Sequence, residues 1–372
     1  MVGLLSLSDP GRYAEQMRSE LHAVVDRLVV GKQLVLGPMV AQFEESFAAY
    51  IGSEHCVSVA SGTDAIEIAL RALGCEGREV LVVANAGGYG TISCLAIGAT
   101  PVYCDIDPVT LLVSINSITA HVSSETAAIV VTHLFGLAID CSLLDAAVKA
   151  KLGKSIPIVE DCAQSHGAKI GKLRTGAQAT IGCFSFYPTK NLGALGDGGA
   201  IVTSDAALAE HVRNLRQYGW TKRYLQERPG GRNSRLDELQ AGFLALFLPQ
   251  LDERNAKRRA ILKQYVASGA TAIHAGYINS EQCVVHLAVC TVNNRDKFVE
   301  NLTSEGISTG VHYPYLDTDF PTTKHLSPMS LPVSEGAKNR IVTLPCFPEM
   351  TQSEIDLVCK AIEKNNQFFE AP

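Results

Sequence analysis

The sequence lacks the basic surface, the paired cysteines and the long apolar run that would place it in several large classes of protein. Lys and Arg total 32 against 38 Asp and Glu, which leaves no excess positive charge for binding nucleic acid. The 11 cysteines are scattered and form no C-x-x-C pair, so we expect reduced, buried thiols and no metal site. No apolar run reaches membrane-spanning length, and residues 1–9 lack the features of a signal peptide. We therefore expect a cytoplasmic protein that binds neither membranes nor nucleic acid.

Length and patterning predict two domains. At 372 residues, of which 47% are hydrophobic, the chain exceeds the usual size of a single core. From residue 56 to residue 203, short apolar runs alternate with helical segments, which predicts an α/β fold with a mainly parallel, doubly wound sheet. A long polar helix then leads into a smaller α+β unit. The predicted domains are residues 1–250, with an N-terminal helical segment, and residues 251–372.

Apolar periodicity locates the individual elements. We expect seven strands in the large sheet, at 57–60, 80–83, 101–104, 128–131, 157–159, 181–186 and 200–203, and a further strand near 284–292. We expect helices at 13–29, 40–50, 64–73, 91–97, 142–151, 206–215, 235–248, 252–266 and 353–367.

The apolar run at 181–186 ends in a turn at Pro188, presents Lys190 and continues into a glycine-rich segment. Glycines there indicate a backbone that passes close to another group. A surface lysine on a flexible loop explains this stretch about as well as a catalytic lysine. Asp161 follows the apolar run at 157–159, and by itself it is better explained as a helix cap. Together, an amine and a carboxylate at neighbouring strand ends suit pyridoxal phosphate, which needs a Schiff-base lysine and an acid beside its ring nitrogen.

A phosphate could be seated at Ser61-Gly62-Thr63-Asp64, which lies between a strand and a helix. Free N–H groups at the start of a helix attract anions, and Ser185 can add a hydroxyl. The alternative is a capped helix without a ligand. The sequence contains neither a Walker loop nor a G-x-G-x-x-G fingerprint, so an ATP or nicotinamide enzyme is disfavoured.

Four motifs in order carry a resemblance to a known family. They are SGTDA at 61–65, EDCAQSHG at 160–167, SFYPTKNLG at 185–193 and GRNSRLDELQ at 231–240. With HYP at 312–314 and LPCFPEM at 344–350, they closely resemble the DegT/DnrJ/EryC1/StrS family of sugar aminotransferases. Members of that family have the aspartate-aminotransferase-like (type I) fold with pyridoxal phosphate bound in the large domain. The likeness extends over nearly the whole chain, from Gly37 to Met350.

The resemblance implies roles for the cofactor site. Lys190 would hold the cofactor and move the proton between carbons, and Asp161 would pair with the ring nitrogen. Gln164 would contact the cofactor's phenolic oxygen.

The phosphate would be held by Gly62, Thr63 and Ser185. Asn233 would reach the phosphate in the neighbouring subunit, which makes a homodimer necessary for activity. Without the resemblance, Asn233 is better explained as a turn residue.

The residues expected to contact the substrate follow the family's pattern less closely than the cofactor residues do. Residues expected there are Tyr89, His166, Tyr187, His312 and Tyr313. A structural role for His166 is an equal alternative. The histidine and glutamine that usually follow HYP are replaced by residues 315–319, and the aromatic residue usually found three positions before Thr91 is replaced by Gly88. Tyr89 is the obvious substitute, and it would either stack on the cofactor or face the sugar.

We therefore predict a pyridoxal-phosphate-dependent transaminase that uses L-glutamate to convert a nucleotide-diphosphate-linked 3- or 4-keto-deoxysugar into an amino sugar. The presence of Lys190 favours transamination over the dehydratases of the family, which have histidine at that position. Two alternatives stay open: amination of a cyclitol or amino-shikimate precursor, and a non-catalytic regulator on the same fold.

Overall fold

The computed structural model describes residues 4–326 and 330–369, so the outer limits of the predicted domains, residues 1 and 372, lie outside the described residues. The described helices are α1 Pro10–Gln16, α2 Arg18–Gly31, α3 Pro38–Ile51, α4 Gly62–Ala72, α5 Tyr89–Ala96, α6 Ile115–His121, α7 Cys141–Leu152, α8 Ala206–Arg216, α9 Glu238–Phe247, α10 Leu251–Ala267, α11 Arg295–Ser304, α12 Pro332–Ala337 and α13 Gln352–Lys364. The described strands are β1 His55–Val59, β2 Glu79–Val83, β3 Thr100–Cys104, β4 Thr126–Thr132, β5 Ile158–Asp161, β6 Lys169–Ile170, β7 Leu173–Arg174, β8 Ile181–Ser185, β9 Gly199–Thr203, β10 Trp220–Lys222, β11 Leu225–Gln226, β12 Ala288–Thr291 and β13 Ile341–Leu344.

A seven-stranded sheet organises the first half of the chain, in the order β1-β9-β8-β5-β4-β2-β3. β9 runs antiparallel to both of its neighbours, and every other pair in the sheet is parallel. All seven predicted strands form, with ends shifted by no more than two residues. The predicted α/β class with a mainly parallel sheet is confirmed.

Both faces of the sheet are covered, which explains why its strands read as continuous apolar runs. Along β2, Val80 and Val82 pack into one apolar cluster, while Leu81 and Val83 pack into another. All seven residues of β4 are buried. Because helices close both faces, the polar groups of the large unit are presented at the carboxyl ends of the parallel strands.

The second half of the chain is helical with a two-stranded antiparallel sheet, β12 with β13. α10 begins directly after a short 3₁₀ turn that contains Pro249, close to the predicted boundary near residue 250. One apolar cluster includes both Val131 of β4 and Val289 of β12, so a continuous core joins the two halves. The division into domains at residue 250 stays a prediction.

Two differences from the predicted elements have local causes, and several further elements were not predicted. The helix expected at 13–29 is divided at Met17, whose backbone (φ −101°, ψ 15°) is not helical. The first part begins earlier than expected, because Pro10 follows Asp9, whose side chain accepts a hydrogen bond from the Arg12 N–H (3.3 Å). The strand expected near 284–292 begins only at Ala288, since Val285 is left-handed (φ 48°) and turns the chain toward the site. The elements that were not expected from the sequence are α6, α11, α12, β6, β7, β10, β11 and β13.

The cysteines are free thiols, as expected. Ten are buried and Cys359 is partly exposed. Among the described helices, none combines the length and the apolar character that crossing a membrane requires.

Candidate active site

A cavity of about 380 Å³ lies between the carboxyl ends of the sheet strands and the second half of the chain. Most of the predicted site residues border it, namely Gly62, Thr63, Tyr89, Asp161, Gln164, Ser185, Tyr187, Lys190, His312 and Tyr313. The sheet topology accounts for this convergence, because β5 and β8 are parallel neighbours and end side by side.

Lys190 stands five residues beyond β8, on a tight turn. Its N–H donates to the carbonyl oxygen of Tyr187 (2.8 Å), and a Cβ at position 193 would lie 2.5 Å from the carbonyl oxygen of Pro188. Gly193 is therefore required where the turn passes back over itself. Burial lowers the pKa of the lysine to about 8, while the nearby Asp161 carboxylate opposes this shift. The lysine thus has a substantial neutral fraction near neutral pH, as a nucleophile or a base needs.

Asp161 is the last residue of β5 and is 4% exposed. Its Oδ2 accepts a hydrogen bond from Thr132 Oγ1 and its Oδ1 accepts one from the Ala163 N–H, both at 3.1 Å. Burial raises its pKa, although these hydrogen bonds and the charge of Lys190 favour the ionised form. Within the described ranges no cation forms an ion pair with it. The carboxylate is therefore held in place and lacks a close positive partner.

The start of α4 forms an anion seat. Ser61 caps the helix by accepting a hydrogen bond from the Asp64 N–H (3.1 Å), which leaves the N–H groups of Gly62 and Thr63 without a partner inside the helix. A Cβ on residue 62 would lie 2.5 Å from the Cβ of Ser185. Only glycine allows the helix start and the Ser185 hydroxyl to approach this closely.

Gln164 is fixed at both ends of its amide. Its Oε1 accepts a hydrogen bond from the Phe135 N–H (2.6 Å), and its Nε2 donates to the hydroxyl of Tyr313 (3.0 Å). Burial raises the pKa of Tyr313, so this hydroxyl stays protonated. The pair joins the large unit to the HYP segment at the edge of the cavity.

The glycine at position 88 has a physical explanation. Gly88 is left-handed (φ 87°), and a Cβ there would lie 2.8 Å from the ring of Phe320. An aromatic residue at that position would be strained and would clash, so the ring is presented by Tyr89, which is 44% exposed at the cavity. Tyr89 packs edge-to-face against Tyr313, with ring centroids 6.5 Å apart. Tyr187 also borders the cavity and is 53% exposed.

His312 also borders the cavity, and its Nδ1 is 2.9 Å from the Thr343 hydroxyl. Burial, with a smaller contribution from Lys190, lowers the pKa of His312 to about 4. The imidazole is therefore neutral at neutral pH, and it can donate one hydrogen bond and accept another.

Two of the predicted residues lie outside the cavity. His166 is fully buried and packs against the rings of Phe184 and Phe186, with centroids 5.4 and 5.8 Å away. Burial lowers its pKa to about 3, and its predicted contact with substrate stays a prediction. Asn233 is exposed and does not border the cavity of its own chain.

Among the residues of the cavity wall that the sequence did not indicate, Arg258 and His286 carry titratable side chains. Both lie in the second half of the chain, outside the quoted motifs. The one available signal was Arg258 itself, placed at the spacing of the buried positions Asn255 and Leu262 of an otherwise polar helix.

One buried group has the composition of a metal site: His133, Cys141 and Glu160. His133 Nδ1 accepts a hydrogen bond from the Ile139 N–H (3.0 Å), so its Nε2 carries the proton and donates to Glu160 (3.0 Å). Glu160 also accepts three backbone N–H groups, from residues 176, 178 and 179. Since the imidazole and the carboxylate already have protein partners, this group is explained as a structural network.

The site fits pyridoxal phosphate. A cofactor phosphate suits the seat at Gly62, Thr63 and Ser185, and a protonated ring nitrogen would give the buried Asp161 the positive partner that it lacks. Lys190 supplies the amine for the cofactor's aldehyde.

Known proteins match this chain along almost its full length. The sequence model of the DegT/DnrJ/EryC1/StrS aminotransferase family matches residues 15–363. The erythromycin biosynthesis sensory transduction protein EryC1 of Saccharopolyspora erythraea is 36% identical over 364 residues, with 94% of this chain and 96% of that protein covered. The dTDP-3-amino-3,4,6-trideoxy-alpha-D-glucose transaminase of Streptomyces venezuelae is 36% identical over 370 residues, with 94% and 93% covered.

A solved structure is also similar over its whole length. S. venezuelae DesV in complex with a ketimine intermediate has a TM-score of 0.92 at 33% identity, with 99% of this chain and 100% of that chain covered. The resemblance seen in the four motifs and the predicted type I fold are confirmed.

Proposed function

The chain belongs to the DegT/DnrJ/EryC1/StrS aminotransferase family and is a pyridoxal-phosphate-dependent aminotransferase, and from this premise we propose its substrates. The amino donor is L-glutamate, and the acceptor is a deoxysugar with a ketone at C3 or C4, linked to a nucleoside diphosphate. The observation that carries the proposal is that Lys190, Asp161 and an anion seat line one cavity. The name of the S. venezuelae transaminase supports the sugar class.

Each residue of the proposed site has a task. When bound, pyridoxal phosphate carries the amino group and delocalises the charge left at the donor's α-carbon. Lys190 Nζ takes the α-proton and returns it at the other reacting carbon, which its pKa of about 8 allows. Asp161 holds a proton on the ring nitrogen beside it, because a buried carboxylate raises the pKa of a neighbouring base.

The remaining cofactor contacts are proposed from position. Gly62, Thr63 and Ser185 bind the phosphate, and Gln164 contacts the phenolic oxygen. Tyr89 and Tyr187 present half-exposed rings at the cavity and are proposed to pack against the cofactor, the sugar or the base.

Sugar contacts are proposed for two further residues of the cavity wall. His312 offers a neutral imidazole and Tyr313 a protonated hydroxyl, both suited to sugar hydroxyl groups.

We also propose a homodimer with shared sites, in the cytoplasm. Asn233 is exposed on its own subunit, at the end of a loop whose neighbour Ser234 donates to Asp64 Oδ2 (2.6 Å) on α4. This segment is therefore tied to the helix that carries the phosphate seat, and the side chain of Asn233 is exposed beside it. The proposed role of Asn233 is to reach the phosphate held by the partner subunit.

Two alternative functions remain: amination of a different acceptor, and a regulatory protein without catalytic turnover. A cyclitol or amino-shikimate precursor would use the same cofactor residues and differ in its contacts with Tyr89, Tyr187, His312 and Tyr313. A regulator is suggested by the name of the S. erythraea relative. Against the regulator, the chain keeps both Lys190 and Asp161, with a depressed lysine pKa that regulation does not need.

A half-reaction assay distinguishes these functions. The apoenzyme is loaded with pyridoxamine phosphate and mixed with dTDP- and UDP-linked 3- and 4-keto-deoxysugars, or with keto-cyclitols. We expect the visible absorption band of the aldehyde form to return with one of the sugar nucleotides. Return with the cyclitol alone identifies the first alternative, and absence of any response with every ketone favours the regulator.

A further inference from the structure

Arg258 of α10 is a buried cation without an acidic partner. It is 5% exposed, and its Nη1 donates to the carbonyl oxygens of Cys346 (2.6 Å) and His286 (3.3 Å). No carboxylate of the described residues forms an ion pair with it. The nearby acid, Glu349, is instead paired with Arg254. Two backbone carbonyls solvate one nitrogen of the guanidinium and leave its charge unbalanced.

Arg258 lines the same cavity as the catalytic lysine. Arg258 and Lys190 both line the cavity, and both charges add to burial in lowering the pKa of His286. Asn191 Nδ2 donates to Asn255 Oδ1 (2.7 Å), so its Oδ1 accepts from His286 Nδ1 (2.9 Å). His286 is therefore a neutral ring within the field of both positive charges, and it cannot neutralise either of them.

The chemistry of the cavity limits what anion Arg258 can receive. The cofactor phosphate is assigned to the large unit, at the start of α4. The diphosphate of a sugar nucleotide is separated from the reacting ketone by the sugar ring. An α-amino acid, by contrast, carries a carboxylate on the same carbon from which Lys190 takes a proton.

We propose that Arg258 binds a carboxylate of the acidic amino donor and so positions the donor's α-carbon at Lys190. This inference rests on the proposed function, because it takes an amino dicarboxylic acid as the donor. Arg258 would serve the donor half of the cycle and have no contact with the keto-sugar. A guanidinium is suited to this task because it presents several N–H groups in a fixed plane to a carboxylate.

The test compares Arg258→Gln with Arg259→Gln. Arg259 is the next residue of α10, lies outside the cavity lining and donates to the carbonyl of Cys283 (3.3 Å), so it controls for loss of an arginine on this helix. The glutamate half-reaction is followed by loss of the visible aldehyde band in a single turnover. We expect its second-order rate constant to fall about a hundredfold in Arg258→Gln. We expect a loss below about threefold in Arg259→Gln and a smaller loss in Arg258→Lys than in Arg258→Gln.

Calorimetry gives a second readout that does not depend on turnover. Glutarate has the carboxylates of the donor and no amine, and its dissociation constant for the holoenzyme should rise about tenfold or more in Arg258→Gln only. L-Alanine then separates the two carboxylates: an equal loss for alanine and glutamate assigns Arg258 to the α-carboxylate. A loss for glutamate alone assigns it to the side-chain carboxylate.

The keto-sugar half-reaction, started from the pyridoxamine form, should keep its wild-type rate in Arg258→Gln. An equal fall in both half-reactions, or unchanged glutarate binding, overturns the proposal and leaves Arg258 a structural residue. Because the donor half-reaction and glutarate binding need no sugar, they remain decisive even if the proposed acceptor is wrong. A wild-type enzyme that neither reacts with glutamate nor binds glutarate also overturns it.

Discussion

Gly62 and Ser185 approach so closely that a Cβ on residue 62 would lie 2.5 Å from the Cβ of Ser185. One residue begins α4 and the other ends β8, so this contact joins the anion seat to the strand that leads to Lys190. Any change that separates the two alters the phosphate contacts and the position of the lysine together.

Gly62→Ala should therefore weaken cofactor binding. The added methyl group forces a shift of the kind that costs 1–3 kcal/mol, so we expect the affinity of the apoenzyme for the cofactor to fall about 10- to 100-fold. Titration of the apoenzyme, followed by absorbance, measures this. Gly31→Ala is the matched control, since nothing lies within 4 Å of a Cβ at that position. Equal affinities in the two variants would contradict the assignment of the seat.

Asp161→Ala should lower turnover by several orders of magnitude, on the order of a thousandfold or more, because the ring nitrogen loses the charge that keeps it protonated. Thr132→Val removes only the 3.1 Å hydrogen bond to Asp161, so a loss of about tenfold is expected there. Steady-state turnover with matched cofactor content measures both. Near-normal turnover of Asp161→Ala would rule out its role.

The rate at which the apoenzyme binds the cofactor covalently, here called cofactor capture, should depend on pH because the amine of Lys190 must be neutral to react. Burial lowers the pKa of this amine to about 8, and only the neutral form attacks the cofactor's aldehyde. The capture rate of the apoenzyme should therefore rise with pH and reach half of its maximum near pH 8. Stopped-flow absorbance between about pH 6 and pH 10 follows it. Lys190→Ala should show no capture and no transamination while it still binds phosphate, and a rate independent of pH in the wild type would contradict the assignment.

The sequence predicted those parts of the site that repeat a local pattern. Lys190 after β8, Asp161 at the end of β5 and Gly62 at the start of α4 could be located from the sequence, because apolar runs and N-cap residues are local signals. Arg258 and His286 could not be predicted in this way, since they reach the cavity only through the packing of α10 and the turn at Val285. For His166 the sequence left a substrate contact and a structural role equally open, because its position beyond β5 does not reveal which way its side chain turns, and in the fold its ring packs against Phe184.

Asp317 lies in the segment that replaces the family's usual residues after HYP, and we expect it to make the free energy of unfolding depend on pH. It accepts a hydrogen bond from Thr91 Oγ1 (2.6 Å), and burial raises its pKa from 3.8 to about 7. A carboxyl group with a raised folded-state pKa stabilises the protein fully below its unfolded pKa, and this contribution is lost as the pH rises through the folded pKa. The free energy of unfolding of the wild type, relative to Asp317→Asn, should thus fall between about pH 4 and pH 7.

Urea denaturation at each pH measures this difference, and other titrating groups cancel between the two proteins. Asp319→Asn is the contrasting variant. Its ion pair and hydrogen bonds outweigh burial and lower the pKa of Asp319, so its contribution is lost as the pH falls below 3.8. If the free energies of unfolding of Asp317→Asn and the wild type change in parallel between about pH 4 and pH 7, the buried carboxyl group is not the titrating group.

Subunit mixing tests whether one site is built from two chains. If Asn233 acts on the cofactor of the partner, Lys190→Ala and Asn233→Ala disable different parts of each site. A hybrid dimer of the two variants then contains one site with both residues intact, because the lysine of one subunit meets the asparagine of the other. Mixing the two weakly active proteins under conditions that exchange subunits should therefore restore activity, up to about a quarter of the wild type for random pairing. No recovery, with exchange verified by differently tagged chains, would place Asn233 in its own subunit's site or outside any site.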